Sequence, residues 1–384
     1  MAVIHLITPE YLPHRGGVGD YTRAVARGLS EAGDDVHVWC AGDARGESGD
    51  PFSVHPSFGH FAADDLNRAG EALDTFPAPR RLLVQWVPHG FGYRAMNLRF
   101  CFWLWQRAAG GDAVELMVHE PYLAFWEGSW KQTAAAVVHR VMTMVLLRAA
   151  RRVWVSIPAW ETSWKPYALG RAVPFAWLPV PSNLAEPDVM SVAAVRNTYA
   201  SGGRPLVGHL GTYGSLITPL LSDVLVDLIG RPRSPRVLLI GSGARSFADT
   251  FLAAHPTLAG SIAATGTLSD RELAAHVAAC DVMIQPYPDG ISSRRTTVMA
   301  SLALGVPVIT TRGRLSEGFW QHSGAVRLTE VGDHRAMAQE TMNILEHADA
   351  RRDLREAGRA IYAQLFDLSH TIGALRQVDA RKAA

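Results

Sequence analysis

Short apolar runs alternate with stretches of helical periodicity along most of the 384 residues. Val3–Ile7 reads as a first strand, and Tyr21, Val25, Ala26 and Leu29 then recur on one face of a helix. Strand-like runs follow at Val36–Trp39, Leu82–Trp86, Val114–Val118 and Val153–Val155. The pattern restarts with Pro205–Leu210, Val237–Ile240, Ile262–Thr265, Val282–Ile284 and Val308–Thr310, with glycine turns at Gly211–Gly214 and Gly241–Gly243. Strands alternating with helices predict an α/β architecture with parallel sheets. Residues 179–205, between the two series, are rich in Pro, Ser and Gly, and a linker is expected there. A chain of this length exceeds one comfortable core, which also predicts two domains. In open parallel sheets, ligands bind at the carboxyl ends of strands near helix N-termini, and the cleft between two such halves is the expected site.

Composition changes this picture little. The chain is 48% hydrophobic and 19% charged, as in ordinary soluble domains. A formal net charge of +1 gives no global electrostatic ground for binding nucleic acid. Cys40, Cys101 and Cys280 are odd in number and far apart, which fits neither a disulfide framework nor a zinc site. The start, MAVIHLITPEYLP, lacks the basic and apolar regions of a signal peptide. Ala134–Ala150 is the most apolar stretch, but His139, Arg140 and Arg148 interrupt it and it is too short to span a bilayer. A cytoplasmic protein is expected, with peripheral contact at the inner face of a membrane left open. The aromatic segment RFCFWLWQR, Arg99–Arg107, reads as a membrane-interface helix, an acceptor wall or a buried domain helix, and the buried helix is expected.

The sharpest chemistry lies in Asp289–Val308, DGISSRRTTVMASLALGVPV. Ser293 is expected as a helix N-cap, Val298, Met299, Leu302 and Ala303 as the buried face, and Gly305 as the helix end. Arg294 and Arg295 then fall in the first turn, where the helix dipole disfavours cations unless an anion offsets them. A diphosphate would do so through charge-assisted hydrogen bonds. Successive helical residues diverge by about 100°, so one of the two arginines is expected to reach the ligand. Asp289 adds a carboxylate just before the helix. Gly16-Gly17-Val18-Gly19 and Gly241-Ser242-Gly243 permit close backbone approach to a ligand, or simply form turns. A dinucleotide fingerprint at Gly17 is discounted, because about eight residues separate Gly16 from the strand end. His119 follows a strand, where it serves a sugar hydroxyl, a developing charge or only the fold.

The order of these parts resembles the bacterial GT-B retaining glycosyltransferases of family 4: GGVGDYTRAVARGLSEAGDDVHV, a His after a middle strand, VLLIGSGAR, IAATGTLSDRELAAHVAACDVMIQPYPDG and MASLALGVPVITT. The resemblance covers nearly the whole chain. It implies two facing Rossmann-like domains, an acceptor-side domain at 1–180 and a nucleotide-sugar domain at 181–364, with helices at about 365–384 crossing back to the first. It implies transfer from a nucleotide-diphosphate sugar with retention, no metal, and no cofactor beyond that co-substrate. His119 matches the family His that contacts the transferred sugar, and Gly16 and Gly17 match the loop near the diphosphate and acceptor. Two departures stand out. The family's paired Glu residues correspond to Ser292 and Ala300, and the loop Gly208–Gly214 carries neither the Arg nor the Lys often found there. Arg294 and Arg295 are therefore assigned to the diphosphate, and Asp289 and His119 to the sugar. Gly16, Gly17, Gly211, Thr212, Gly241, Gly243, Gly290, Ser292, Ser293 and Thr296 complete the expected donor site. The acceptor is a glycan, a lipid-linked glycan or a small molecule. Trp86, Phe91, Trp103, Trp105, Phe125, Trp126 and Trp130 are the aromatics available to stack on it. The missing Glu pair keeps two rivals open, a non-catalytic sugar- or nucleotide-binding partner protein and a cyclitol-coupling transferase.

Overall fold

The computed structural model describes residues 1–13, 16–44, 46, 49–125, 129–231 and 233–380. They form two compact units: Met1–Pro179 with the chain from Leu368 onward, and Val180–Asp367.

The first unit holds seven strands: β1 (Val3–Ile7), β2 (Asp35–Trp39), β3 (Ser53–His55), β4 (Arg81–Trp86), β5 (Ala113–Val118), β6 (Arg152–Val155) and β7 (Phe175–Trp177). All pair in parallel, in the order β3-β2-β1-β4-β5-β6-β7. The second unit holds β8 (Leu206–Leu210), β9 (Arg236–Ile240), β10 (Ile262–Ala264), β11 (Val282–Gln285), β12 (Val308–Arg312) and β13 (Arg327–Glu330), again all parallel. Their order is β10-β9-β8-β11-β12-β13. Each order reverses direction once, between β1 and β4 and between β8 and β11, and these two reversals are where doubly wound sheets take ligands.

Helices cover both faces of such sheets, so the central strands carry continuous apolar runs rather than alternating ones. Every residue of β4 and of β8 is buried. The edge strands β3, β7 and β13 escaped the periodicity; each is short and has at most one fully buried residue. The expected linker also differs from expectation, for it carries a helix, Val189–Tyr199. Asp188 caps this helix by accepting from the Ser191 N–H at 2.9 Å. The aromatic helix Leu98–Ala109 is only half buried: Phe100, Cys101, Trp103 and Leu104 face inward, and Phe102 and Trp105 face solvent. Trp126 lies outside the described residues.

One charged pair sits inside the first unit. Arg81 Nε and Nη2 donate to the two oxygens of Glu115 at 2.9 and 3.1 Å, bridging β4 and β5, and Trp154 Nε1 on β6 donates to Glu115 Oε2 at 2.8 Å. The carboxylate is fully buried. Its lone pairs are satisfied by two guanidinium donors and an indole, which offsets much of its desolvation. Glu115→Ala is expected to cost about 3–5 kcal/mol by leaving the Arg81 charge buried and unpaired. The double replacement Arg81→Met with Glu115→Leu should recover most of that loss, as measured by denaturant unfolding of the three proteins.

Candidate functional site

In the second unit, the loops after β8 and β11 meet at the sheet's reversal. Gln285 Nε2 donates to Leu210 O at 3.2 Å, tying the two strand ends together. The loop after β11 is pinned from β12: Tyr287 N donates to Thr311 Oγ1 at 2.9 Å, and Thr310 Oγ1 donates to Gln285 O at 2.7 Å. Gly290 has φ +83°, and a Cβ there would strike the backbone of Gly313, so its glycine is explained by the close approach of two loops.

The next helix starts later than the sequence implied. It runs Thr296–Ala303 with Arg295 as its N-cap residue, so the two arginines precede the helix instead of filling its first turn. Ser293 does not cap it. Its hydroxyl hydrogen-bonds Glu317 Oε1 at 2.5 Å, its N–H donates to the same oxygen at 3.0 Å, and Trp320 Nε1 donates to Glu317 Oε2 at 2.8 Å. Freed from helical geometry, both arginines reach one carboxylate. Arg294 Nη2 donates to Asp289 Oδ2 at 2.8 Å, and Arg295 Nη2 pairs with Asp289 Oδ1. The Arg295 guanidinium also stacks on the Tyr287 ring at 4.2 Å, and the Tyr287 hydroxyl meets Thr297 Oγ1 at 2.5 Å. The anion that offsets the cations is thus built into the chain. Two positive charges against one negative leave the cluster at net +1, with each arginine side chain about one fifth exposed. Both Asp289 oxygens already accept from guanidinium, so any sugar contact falls to their remaining lone pairs. Ser292 is fully buried, and its Oγ has no partner among the described residues.

The glycine loops across the reversal are equally close. Gly241 has φ +116°, and a Cβ there would collide with Gly211 O; Gly243, at φ +85°, caps the helix Ala244–Ala254 without a side chain. Ala244 N donates back to Gly241 O at 3.2 Å, and the next N–H groups of this first turn have no intrahelical acceptor. Thr212 joins the same contact through its carbonyl, 3.1 Å from where a Gly243 Cβ would sit. His209 was not anticipated. Its Nδ1 bonds Ile284 O at 2.8 Å, so Nδ1 carries the proton, and Nε2 is a buried acceptor with no partner among the described residues. A Cβ on Gly211 would stand 3.1 Å from that nitrogen. Burial pulls the His209 pKa down to about 4, so the ring is neutral. The sequence held no motif for it, because a lone His within an apolar strand carries no spacing signal.

In the first unit, His119 stands at the carboxyl end of β5, and Gln85 lies on neighbouring β4. His119 Nε2 lies 2.9 Å from Gln85 Oε1; with the amide in this orientation Nε2 donates and Nδ1 keeps its lone pair. Tyr21 packs edge-on at 4.9 Å. Burial drives the His119 pKa to about 3, which leaves a neutral hydrogen-bonding group. Gly16 and Gly17 open the helix Gly17–Glu31. Glu10 fills the place an external anion would take there: its Oε1 accepts from Val18 N at 2.8 Å and Gly19 N at 3.1 Å, and a Cβ on Gly16 would run into its carboxylate. Nothing lies within 4 Å of a Cβ built on Gly17.

Residues 208–347, the stretch that carries the arginine cluster and His209, match the family model described as glycosyl transferases group 1. No curated protein matches the chain by sequence at significant similarity. Solved structures match it end to end. Sucrose-phosphate synthase from Thermosynechococcus elongatus superposes with a TM-score of 0.74 at 17% identity, covering 99% of each chain. Anabaena HepE, solved with UDP and glucose, gives 0.72 at 16% identity over 99% of this chain and 100% of that one. The α,α-trehalose 6-phosphate synthase from Burkholderia multivorans gives 0.65 at 14% identity, covering 100% and 97%. The fold is GT-B. With the family match, it supports a glycosyltransferase.

The histidines make stability depend on pH. His5, buried in the first sheet beside His37 and His55, is held at about 4, chiefly by burial, and joins His119 at about 3 and His209 at about 4. In the unfolded chain each titrates near 6.5. Between about pH 6.5 and 4 the unfolded state therefore binds more protons, and stability falls with falling pH, by up to about 1.4 kcal/mol per pH unit for each histidine. Denaturant midpoints measured across this window should drop steadily, and His119→Gln should flatten the slope. A flat profile in the wild type would contradict the buried, neutral assignment.

Proposed function

We propose that the protein is a retaining glycosyltransferase that moves a sugar from a nucleoside-diphosphate donor to an acceptor hydroxyl, without a metal, in bacterial glycan or glycoconjugate synthesis. The observation that carries this reading is the Asp289–Arg294–Arg295 cluster, which keeps net positive charge at the strand end where the family's own carboxylate pair is missing. A diphosphate leaving group gains negative charge as the bond from its oxygen to the anomeric carbon breaks. The two guanidinium groups, held by Asp289 and Tyr287, are pre-set to receive it, and the helix start at Gly243 offers N–H donors to the same kind of group. His209 Nε2 is available to accept from the donor. The acceptor oxygen forms its bond to the anomeric carbon on the face the phosphate leaves, and its proton passes to a phosphate oxygen. His119 Nδ1 is placed to accept from a sugar hydroxyl. HepE was solved with UDP-glucose, which makes a UDP-sugar the first donor to try.

The buried Ser292 in place of a carboxylate favours the second reading, a protein that binds nucleotide or sugar without turnover. Thermal shift against UDP, GDP, ADP, TDP and CDP, with and without a chelator, separates the two when followed by donor-hydrolysis assays. One nucleotide at a hundredfold excess over its Kd should stabilise the protein by about 2.7 kcal/mol. Arg294→Ala and Arg295→Ala should each weaken that nucleotide about tenfold or more, as expected for loss of a charge-assisted contact. Binding without any turnover would establish the non-catalytic reading. Binding unchanged in both variants would remove the arginines from the diphosphate.

A further inference from the structure

Much of the exposed apolar surface of the first unit is gathered in one region. The helix Trp130–Ala149 turns Trp130, Val137 and Val141 to solvent, at 77%, 52% and 38% exposure, and its neighbour Leu98–Ala109 turns out Phe102 and Trp105 at 48% and 46%. These positions recur at helical spacing, so each helix has an apolar inner face and a second apolar face left exposed by the described residues of the unit. The two helices pack on one another. The loop after His119 joins the same face: Arg140 stacks on Phe125 at 3.5 Å and on Tyr122 at 4.3 Å, and donates to Leu123 O at 2.9 Å.

A strained turn is fastened beside it. Gly92, Tyr93, Arg94 and Ala95 all have positive φ, at 76°, 48°, 53° and 69°. Three consecutive non-glycine residues in this region are costly and persist only where neighbours over-determine them. Here His139 bonds Ala95 O at 2.7 Å from the Trp130–Ala149 helix, and Asn97 Nδ2 bonds Phe91 O at 2.7 Å and Phe61 O at 3.1 Å. The turn holds Tyr93, 47% exposed, and Arg94 at the surface.

Charge on this face is mostly of one sign. Residues 87–111 and 129–160 contain no Asp or Glu, while Arg94, Arg99, Lys131 and Arg148 are exposed among the apolar side chains. The loop after His119 adds one carboxylate among the described residues, Glu120, which faces His89 at 3.5 Å. Among the described residues, no helix is long and apolar enough to cross a membrane.

We propose that this face docks on an anionic lipid surface. Indole and phenol rings favour the boundary between headgroups and acyl chains, aliphatic side chains enter just below it, and Lys and Arg meet the headgroup phosphates. A protein partner of ordinary composition presents both signs of charge and would call for carboxylates in similar number on this side; a face on which exposed cations outnumber carboxylates, with projecting rings, matches a uniform anionic surface. The loop that carries Leu123 and Phe125 begins at His119, so a docked enzyme would present that end of β5 to the lipid, and an acceptor carried on a lipid could reach it without leaving the membrane. The inference rests on this surface alone and stands whether or not the donor chemistry proposed above is correct.

The test is flotation of the full chain with vesicles of equimolar phosphatidylglycerol and phosphatidylcholine, against phosphatidylcholine alone. The protein should float with the anionic vesicles and detach in high salt. The triple variant F102S/W105S/W130S should lose about tenfold or more in partitioning. The pair R99E/K131E should do the same, since each cation near an anionic membrane contributes about fivefold. All five positions are exposed, and an unchanged thermal unfolding midpoint would show that the variants remain folded. Failure of the wild type to float with anionic vesicles, or equal flotation of both variants, would overturn the proposal. So would a concentration-dependent dimer in sedimentation that the triple variant abolishes, because a second copy would then cover the face.

Discussion

A strand buried on both faces has nowhere to place polar side chains except its ends, and this constraint organises both units. The all-parallel sheets bury β4 and β8 completely. All strands of a parallel sheet end at the same edge, so the loops that carry chemistry gather there, and the reversal of strand order opens a gap between two of them. His119 and Gln85, His209 and Gly211, and the arginine cluster after β11 all stand at such ends. The buried charged pair woven into the first sheet, Arg81 with Glu115, is bidentate and further bonded by Trp154, the kind of arrangement that buried charge requires.

Both units answer an electrostatic demand with a carboxylate of their own. In the second, Asp289 takes both oxygens to two arginines and fixes where their remaining donors point. In the first, Glu10 occupies the glycine-lined start of a helix, where an external anion would otherwise be favoured. The outcomes differ. The Asp289 cluster sets two guanidinium groups against one carboxylate, whereas the Glu10 carboxylate satisfies the N–H groups it meets. Glycines in these loops serve mainly to let backbone pass backbone: Gly241 against Gly211, and Gly290 against Gly313.

The outer helices of the first unit obey a different rule. A helix that packs on a sheet needs one apolar face, and Trp130–Ala149 and Leu98–Ala109 have two. Exposed indole rings at nearly half their area or more are unfavourable in water unless something covers them. The strained turn at Gly92–Ala95 and the cation stacking of Arg140 hold more aromatic surface on the same side, at a conformational cost that core packing alone does not explain.

Periodicity determined the strands β1, β2, β4, β5, β6 and β8 to β12, because buried parallel strands carry an uninterrupted apolar signal that needs no partner to be read. It also placed His119 and the DGISSRR loop at strand ends, since position along the chain fixes which residue follows a strand. What tertiary structure decided was everything set by a residue distant in sequence. Glu317 takes Ser293 away from the helix start, so the cap falls at Arg295 and both arginines can turn to Asp289. Ile284 O fixes the tautomer of His209, and Gln85 partners His119. Glu10 closes the glycine loop eight residues ahead of its partner at Val18. The aromatic helix at Leu98 looked buried from composition, but burial is a property of the neighbours a helix finds, and the neighbours found here cover only one of its two apolar faces.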